Sequence, residues 1–121
     1  MATTVLIVDD HATFRASAKL LLESEGFDVV GEAENGRSAV EQSRALAPDL
    51  ILLDVQLPDI NGFEVASRVR DNQPRPVVVL ISSRDGGDFG PLVEASGARG
   101  FVAKADLSGE SLRSVLDAPV R

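Results

Sequence analysis

Three stretches of this chain are apolar at every position: Val5-Leu6-Ile7-Val8, Leu50-Ile51-Leu52-Leu53 and Val77-Val78-Val79-Leu80-Ile81. A strand with one face in water alternates polar and apolar residues, so runs without alternation are read as strands buried on both faces. That is the habit of a parallel sheet covered by helices. Two weaker strand candidates, Asp28–Ala33 and Arg99–Ala103, are short and each lies just after a glycine.

The segments between these runs carry helical spacing. Phe14, Ala18, Leu21, Leu22 and Glu25 trace one face of a helix from about Ala12 to Glu25, stopped by Gly26. Ala39, Val40, Ser43 and Leu46 do the same between Gly36 and Pro48, and Phe63, Ala66, Val69 and Arg70 follow Gly62. A short fourth helix is expected over Pro91–Ser96, preceded by Gly86, Gly87 and Gly90. A fifth starts at Ser108, an N-cap serine flanked by Leu107 and Leu112 at the two positions of a hydrophobic staple, and runs to about Asp117. The alternation predicts an α/β fold: one doubly wound, five-stranded parallel sheet with right-handed crossovers and helices on both faces. The common order for five such strands is 2-1-3-4-5, with strands one and three side by side at the switch point. No repeat or linker interrupts the chain, so residues 1–121 are expected to form one domain.

Charge and composition narrow the partners. The 121 residues include 12 Lys and Arg against 19 Asp and Glu, a net charge of −7, and no cysteine. Phosphate backbones are bound by Lys and Arg that release counterions, so direct nucleic-acid binding is not expected, nor is an anionic membrane surface. Disulfides, zinc ribbons and thiol nucleophiles are excluded. The first residues carry no basic targeting segment, and no apolar run approaches the roughly 20 residues of a membrane span, which predicts a soluble, cytoplasmic protein.

In an open α/β sheet, function gathers at the carboxyl ends of the strands. Asp9 and Asp10 follow strand one, Asp54 strand three, Ser82 and Ser83 strand four, and Lys104 strand five. Two like charges about 4 Å apart repel by roughly 4 kcal/mol at an effective dielectric near 20. Such carboxylates must protonate, pair or bind a cation. One lysine leaves a deficit suited to a hard divalent ion, Mg²⁺ first, and carboxylates with Mg²⁺, a lysine and a hydroxyl suit phosphoryl chemistry. A carboxylate there can itself be the nucleophile, forming an aspartyl phosphate.

These residues make the chain resemble, over its whole length, the receiver domain of a bacterial two-component response regulator, which has a flavodoxin-like fold. The resemblance rests on Asp9-Asp10, Asp54, Pro58 and Gly62 beyond it, a hydroxyl residue ending strand four, and Lys104 with Phe101 three residues before. It implies that Asp54 accepts phosphate from a phosphohistidine on a sensor histidine kinase or phosphotransfer protein. It implies Mg²⁺ held by Asp10, Asp54 and the backbone carbonyl of Gln56, with Asp9 acting through water. Lys104 would pair with the acceptor and then with phosphoryl oxygens, Ser82 would move to bond the phosphoryl group, and Phe101 would change rotamer with it. The face of the fourth helix, fifth strand and fifth helix would then rearrange, and could pair two copies. Three departures stand out. Ala105 replaces the family's usual proline, and Ala105-Asp106 resembles the branch usually linked to a helix-turn-helix output domain. The switch residue is serine, with Ser83 as its rival, and the segment between Arg84 and Pro91 is glycine-rich. Gln56 and Arg84 occupy positions that flank the attacking water in this family.

Blander readings compete. Asp10 alone could be an N-cap, Lys104 a surface residue and Phe101 core filling, but capping explains neither Asp9 nor Asp54. His11, the one histidine, follows the acidic pair, yet Mg²⁺ prefers oxygen and the weight falls against a ligand role. A haloacid-dehalogenase-like phosphatase would need an Asp two residues after the nucleophile, where Gln56 stands and cannot protonate a leaving group. A degenerate receiver acting as an unphosphorylated interaction module is the other alternative.

Overall fold

The computed structural model describes residues 2–83 and 90–117. Strands β1 (Thr4–Val8), β2 (Asp28–Ala33), β3 (Leu50–Asp54), β4 (Val77–Ser82) and β5 (Gly100–Ala103) alternate with helices α1 (Ala12–Ser24), α2 (Gly36–Leu46), α3 (Gly62–Val69), α4 (Gly90–Ser96) and α5 (Gly109–Leu116). The sheet is parallel throughout, in the order β2-β1-β3-β4-β5. The expected architecture is therefore the observed one. Arg84, Gly86 and Gly87 lie outside the described residues.

The apolar runs behave as their lack of alternation requires. Leu6, Val8, Ile51, Leu53, Val78 and Leu80 point to one side, where Ala39 of α2 and Val65, Ala66 and Val69 of α3 cover them. Val5, Ile7, Leu50, Leu52, Val79 and Ile81 point to the other, against Ala18 and Leu22 of α1 and Leu112 of α5. Burying each such side chain contributes roughly 1.5–3 kcal/mol, and both cores share the same three strands. The central strands cannot slip, because a one-residue shift would move every side chain to the opposite core. Register then sets the rim: Val8 pairs with Leu53, Asp54 with Ile81, and Ser82 with Ala103, so the residues ending β1, β3, β4 and β5 share one edge of the sheet.

Local signals account for the helix ends. Gly26, at φ +91, follows α1, and Ser108 caps α5 in a reciprocal box with Ser111. The N-cap of α1 is His11 rather than Asp10, and no side chain caps it. At α2, Asn35 accepts from the Ser38 N–H, while the Gly36 and Arg37 N–H groups donate to Asp59 at 2.8 and 2.9 Å. These two donors, Gly36 first, hold the Asp59 carboxyl down at about 2. A carboxyl depressed from 3.8 adds stability that is present above its unfolded value and lost as pH falls through the folded one. Asp59→Ala is expected to cost about 1 kcal/mol at pH 7 in urea unfolding followed by circular dichroism, with the difference from native closing near pH 2.

Candidate functional site

Asp54 is the last residue of β3 and Asp9 the first beyond β1; both are buried. Val8 and Leu53, directly before them, are fully buried hydrophobic residues, so neither carboxylate can retreat into water without disturbing a strand end. Lys104 opens a 3₁₀ turn directly after β5. Its Nζ lies 2.5 Å from Asp9 Oδ2 and 3.2 Å from Asp54 Oδ2, bridging the two carboxylates. Beneath the ammonium is the ring of Phe14 from α1, 4.6 Å to its centroid. Phe14, read from the sequence only as an apolar face residue, thus supplies a cation–π contact that helps fix the lysine.

The acceptor candidate is held from two sides. Its Oδ1 accepts the Gln56 N–H at 3.1 Å, and its Oδ2 accepts a hydrogen bond from Lys104. Burial, and after it the charge of Asp9, push the Asp54 carboxyl above the usual carboxylate range, against the pull of the Gln56 amide and Lys104. Burial alone would pull the Lys104 ammonium down, but contact with Asp9 and the charge of Asp54 more than offset it and leave it raised. Each partner therefore feels a dry environment, and one positive charge answers two buried carboxylates.

A cation fits that deficit. Asp9 Oδ2 is buried, and its charged partner, the Lys104 ammonium, is shared with Asp54. One donor atom each from Asp9, Asp10, His11 and Asp54 lies within 4.8 Å of the others. Oxygen-dominated donors that close suit a hard divalent ion. The structure thus brings Asp9, Asp10, Asp54 and Lys104 together as expected and adds His11. The Gln56 amide reaches the site through the turn after β3.

Of the two serines, Ser82 is buried within β4, one register position beyond the partner of Asp54, whereas Ser83 is exposed beyond the strand. Phe101 sits in β5 opposite Leu80 and is half-buried against the α3 side of the core. It borders a cavity of about 400 Å³ shared with Val102, Ala103, Asp106, Ser111, Ser114 and Val115. One residue had no signature in the sequence: Arg15, whose guanidinium donates to the Asp9 carbonyl at 2.6 Å and to Glu32 at 3.1 Å. It ties α1 to the ends of β1 and β2 through packing that no spacing rule announces.

Residues 5–116 match the response regulator receiver domain. The chain belongs to that family. It is 36% identical over 118 residues to the transcriptional regulatory protein YdfI of Bacillus subtilis, covering 97% of this chain and 54% of that protein. It is 35% identical over 106 residues to the chemotaxis protein CheY of Thermotoga maritima, covering 86% of this chain and 87% of that one. The solved response regulator domain of Thermotoga maritima CheB superposes with a TM-score of 0.85 at 28% identity, over 98% of this chain and 96% of that one. The chain spans about half the length of the transcriptional regulators it matches. Among the described residues, no helix is long and apolar enough to cross a membrane.

Proposed function

We propose that this receiver domain, taken as residues 1–121, is a cytoplasmic phosphorylation-controlled switch in which Asp54 is the acceptor. The observation that carries the reading is the Lys104 ammonium bridging Asp9 and Asp54 at the carboxyl ends of neighbouring parallel strands. The donor is a phosphohistidine on a sensor histidine kinase or phosphotransfer protein. An Asp54 oxygen attacks phosphorus, the new O–P bond forms as the N–P bond breaks, and the electron pair leaves with the imidazole. Asp10, Asp54 and the Gln56 carbonyl would hold Mg²⁺, with Asp9 acting through water, and the ion would supply charge to offset the phosphoryl oxygens.

The chain's own groups do the rest. Lys104 stands 3.2 Å from the acceptor oxygen, ready to pair with the phosphoryl group once it is attached. Ser82, ending the adjacent strand, gives that group a hydroxyl to draw in. Phe101, half-buried beside an open hollow along β5 and α5, is the ring that would turn as Ser82 moves. The phosphoryl group's contacts with Ser82 and Lys104 differ between the two states, and only such a difference can shift the α4, β5 and α5 face. That face would bind an output partner or a second copy of the chain. The transcriptional regulators that the chain matches over about half their length support a domain acting through an attached output unit, and the net charge of −7 argues against its touching nucleic acid itself.

Incubation with Mg²⁺ and acetyl phosphate is expected to add one phosphate to the intact protein by mass spectrometry, and none to Asp54→Asn. Equal labelling of both would overturn the assignment of the acceptor. No labelling of either would favour an unphosphorylated interaction module.

A further inference from the structure

His11 has no part in the phosphoryl chemistry above, yet its ring belongs to the same cluster. Nδ1 lies 3.0 Å from Asp10 Oδ1 and 3.2 Å from Asp9 Oδ1. A divalent ion with bonds of about 2.1 Å and right angles between them sets adjacent ligand atoms about 3.0 Å apart and opposite ones about 4.2 Å apart. The 3.0 Å from His11 Nδ1 to Asp10 Oδ1, a hydrogen-bond distance between the two side chains, is also that of adjacent ligands, and all four donor atoms lie within 4.8 Å of one another. The imidazole has no capping duty at α1, and its side chain is 70% exposed, so small adjustments of the ring meet little resistance. The Lys104 ammonium, 2.5 Å from Asp9 Oδ2, shows that positive charge is held at this centre.

We propose that His11 Nδ1 is a ligand for those divalent ions that accept imidazole, so that this rim discriminates among ions. Oxygen donors alone hold Mg²⁺, whereas Co²⁺ or Ni²⁺ engages His11 as well, because nitrogen suits these ions and adds little for Mg²⁺. The inference rests on Asp9, Asp10 and Asp54 forming the cation site of the proposed switch, and it says which metals that site holds most firmly.

The test uses CoCl₂ and MgCl₂ titrated into the intact chain at pH 8, since ligation needs neutral imidazole. Affinities come from calorimetry for Co²⁺ and from amide shifts for Mg²⁺. His11→Asn is expected to weaken Co²⁺ at least tenfold and to leave Mg²⁺ within twofold. The Co²⁺ form of the native chain should show one exchangeable, hyperfine-shifted imidazole N–H resonance, absent from His11→Asn. With one histidine in the sequence, that signal has a single source. Asp10→Asn should weaken both ions. Unchanged Co²⁺ affinity in His11→Asn, an equal loss for both ions, or Co²⁺ binding indifferent to Asp10→Asn would each overturn the proposal. The last result would mean a surface imidazole acting alone. No readout involves phosphate, so a chain that binds Co²⁺ through His11 but takes no phosphate from acetyl phosphate would sink the switch and leave this inference standing.

Discussion

Lys104→Met is expected to lower stability by about 3 kcal/mol at pH 7, while Asp54→Asn raises it by on the order of 1 kcal/mol. Removing one partner of a buried ion pair leaves an uncompensated charge, which typically costs 3–5 kcal/mol. Lys104 answers two such charges, Asp9 and Asp54. Asp54→Asn does the reverse: it keeps the shape and removes one of two carboxylates competing for a single ammonium. Its effect is smaller because Lys104 and the Gln56 amide already offset part of the repulsion.

The pH dependence separates these effects from simple packing changes. A carboxyl whose folded pKa lies above its unfolded value binds its proton more tightly when folded, so stability falls as pH rises from the unfolded value of 3.8 through the raised one. Asp54→Asn should lose that descending limb, and its advantage over the native chain should vanish below pH 3.8. Lys104 has the same sense of proton linkage, displaced to higher pH. Its folded value is raised, so its contribution is complete below 10.5 and fades as pH climbs through the folded value. Urea unfolding by circular dichroism between pH 3 and pH 8 measures the Asp54 limb, and the same series carried above pH 10.5 measures that of Lys104. An Asp54→Asn protein less stable than native at pH 7 would show that the carboxylate is compensated by something other than Lys104.

How much of this was legible in the sequence follows from what each feature depends on. The strands were plain because burial on both faces forbids polar residues, so Leu50–Leu53 and Val77–Ile81 announce themselves without reference to the rest of the chain. Asp54 and Ser82 extend β3 and β4 one position past those runs, since the ladder continues where hydrophobicity stops. The rim residues were legible for a related reason: a charge directly after an apolar strand has few structural uses. Phe14, Arg15 and His11 were not legible in their present roles. All three lie where α1 begins, and their contacts depend on how that helix leaves β1 and packs. Helical periodicity gives the face on which Phe14 sits, but not that the face ends beneath Lys104. The weight against His11 as a ligand rested on Mg²⁺ chemistry, which says nothing about the 3.0 Å separation that places its ring among the carboxylates. Asp59, with no sequence signal beyond its loop, caps a helix whose first residues lie more than twenty positions before it, a contact only the fold creates.

Gly62→Ala is expected to destabilise the chain by about 2–3 kcal/mol and to impair the acceptor as well. Gly62 starts α3 and donates its N–H to the Val55 carbonyl at 2.8 Å, which draws the helix terminus against the turn leaving β3. A Cβ built there would stand 2.3 Å from the Asp54 carbonyl oxygen and 2.8 Å from Val55 Cα. Both are backbone atoms of the segment that aims Asp54, so no side chain can swing aside, and relief requires moving either α3 or the acceptor. Overpacking of that kind costs roughly 1–3 kcal/mol where neighbours can adjust, and these neighbours adjust least. The matched control is Gly90→Ala at the start of α4, where a Cβ meets nothing within 4 Å and the effect on stability should be within about 0.5 kcal/mol. Acetyl phosphate labelling of Gly62→Ala, carried out at a temperature where circular dichroism shows it folded, should be slower than that of Gly90→Ala. Equal unfolding midpoints for the two variants would show that α3 is not pressed against β3 as described. A destabilised Gly62→Ala that labels at the native rate would show that Asp54 keeps its aim when α3 is displaced.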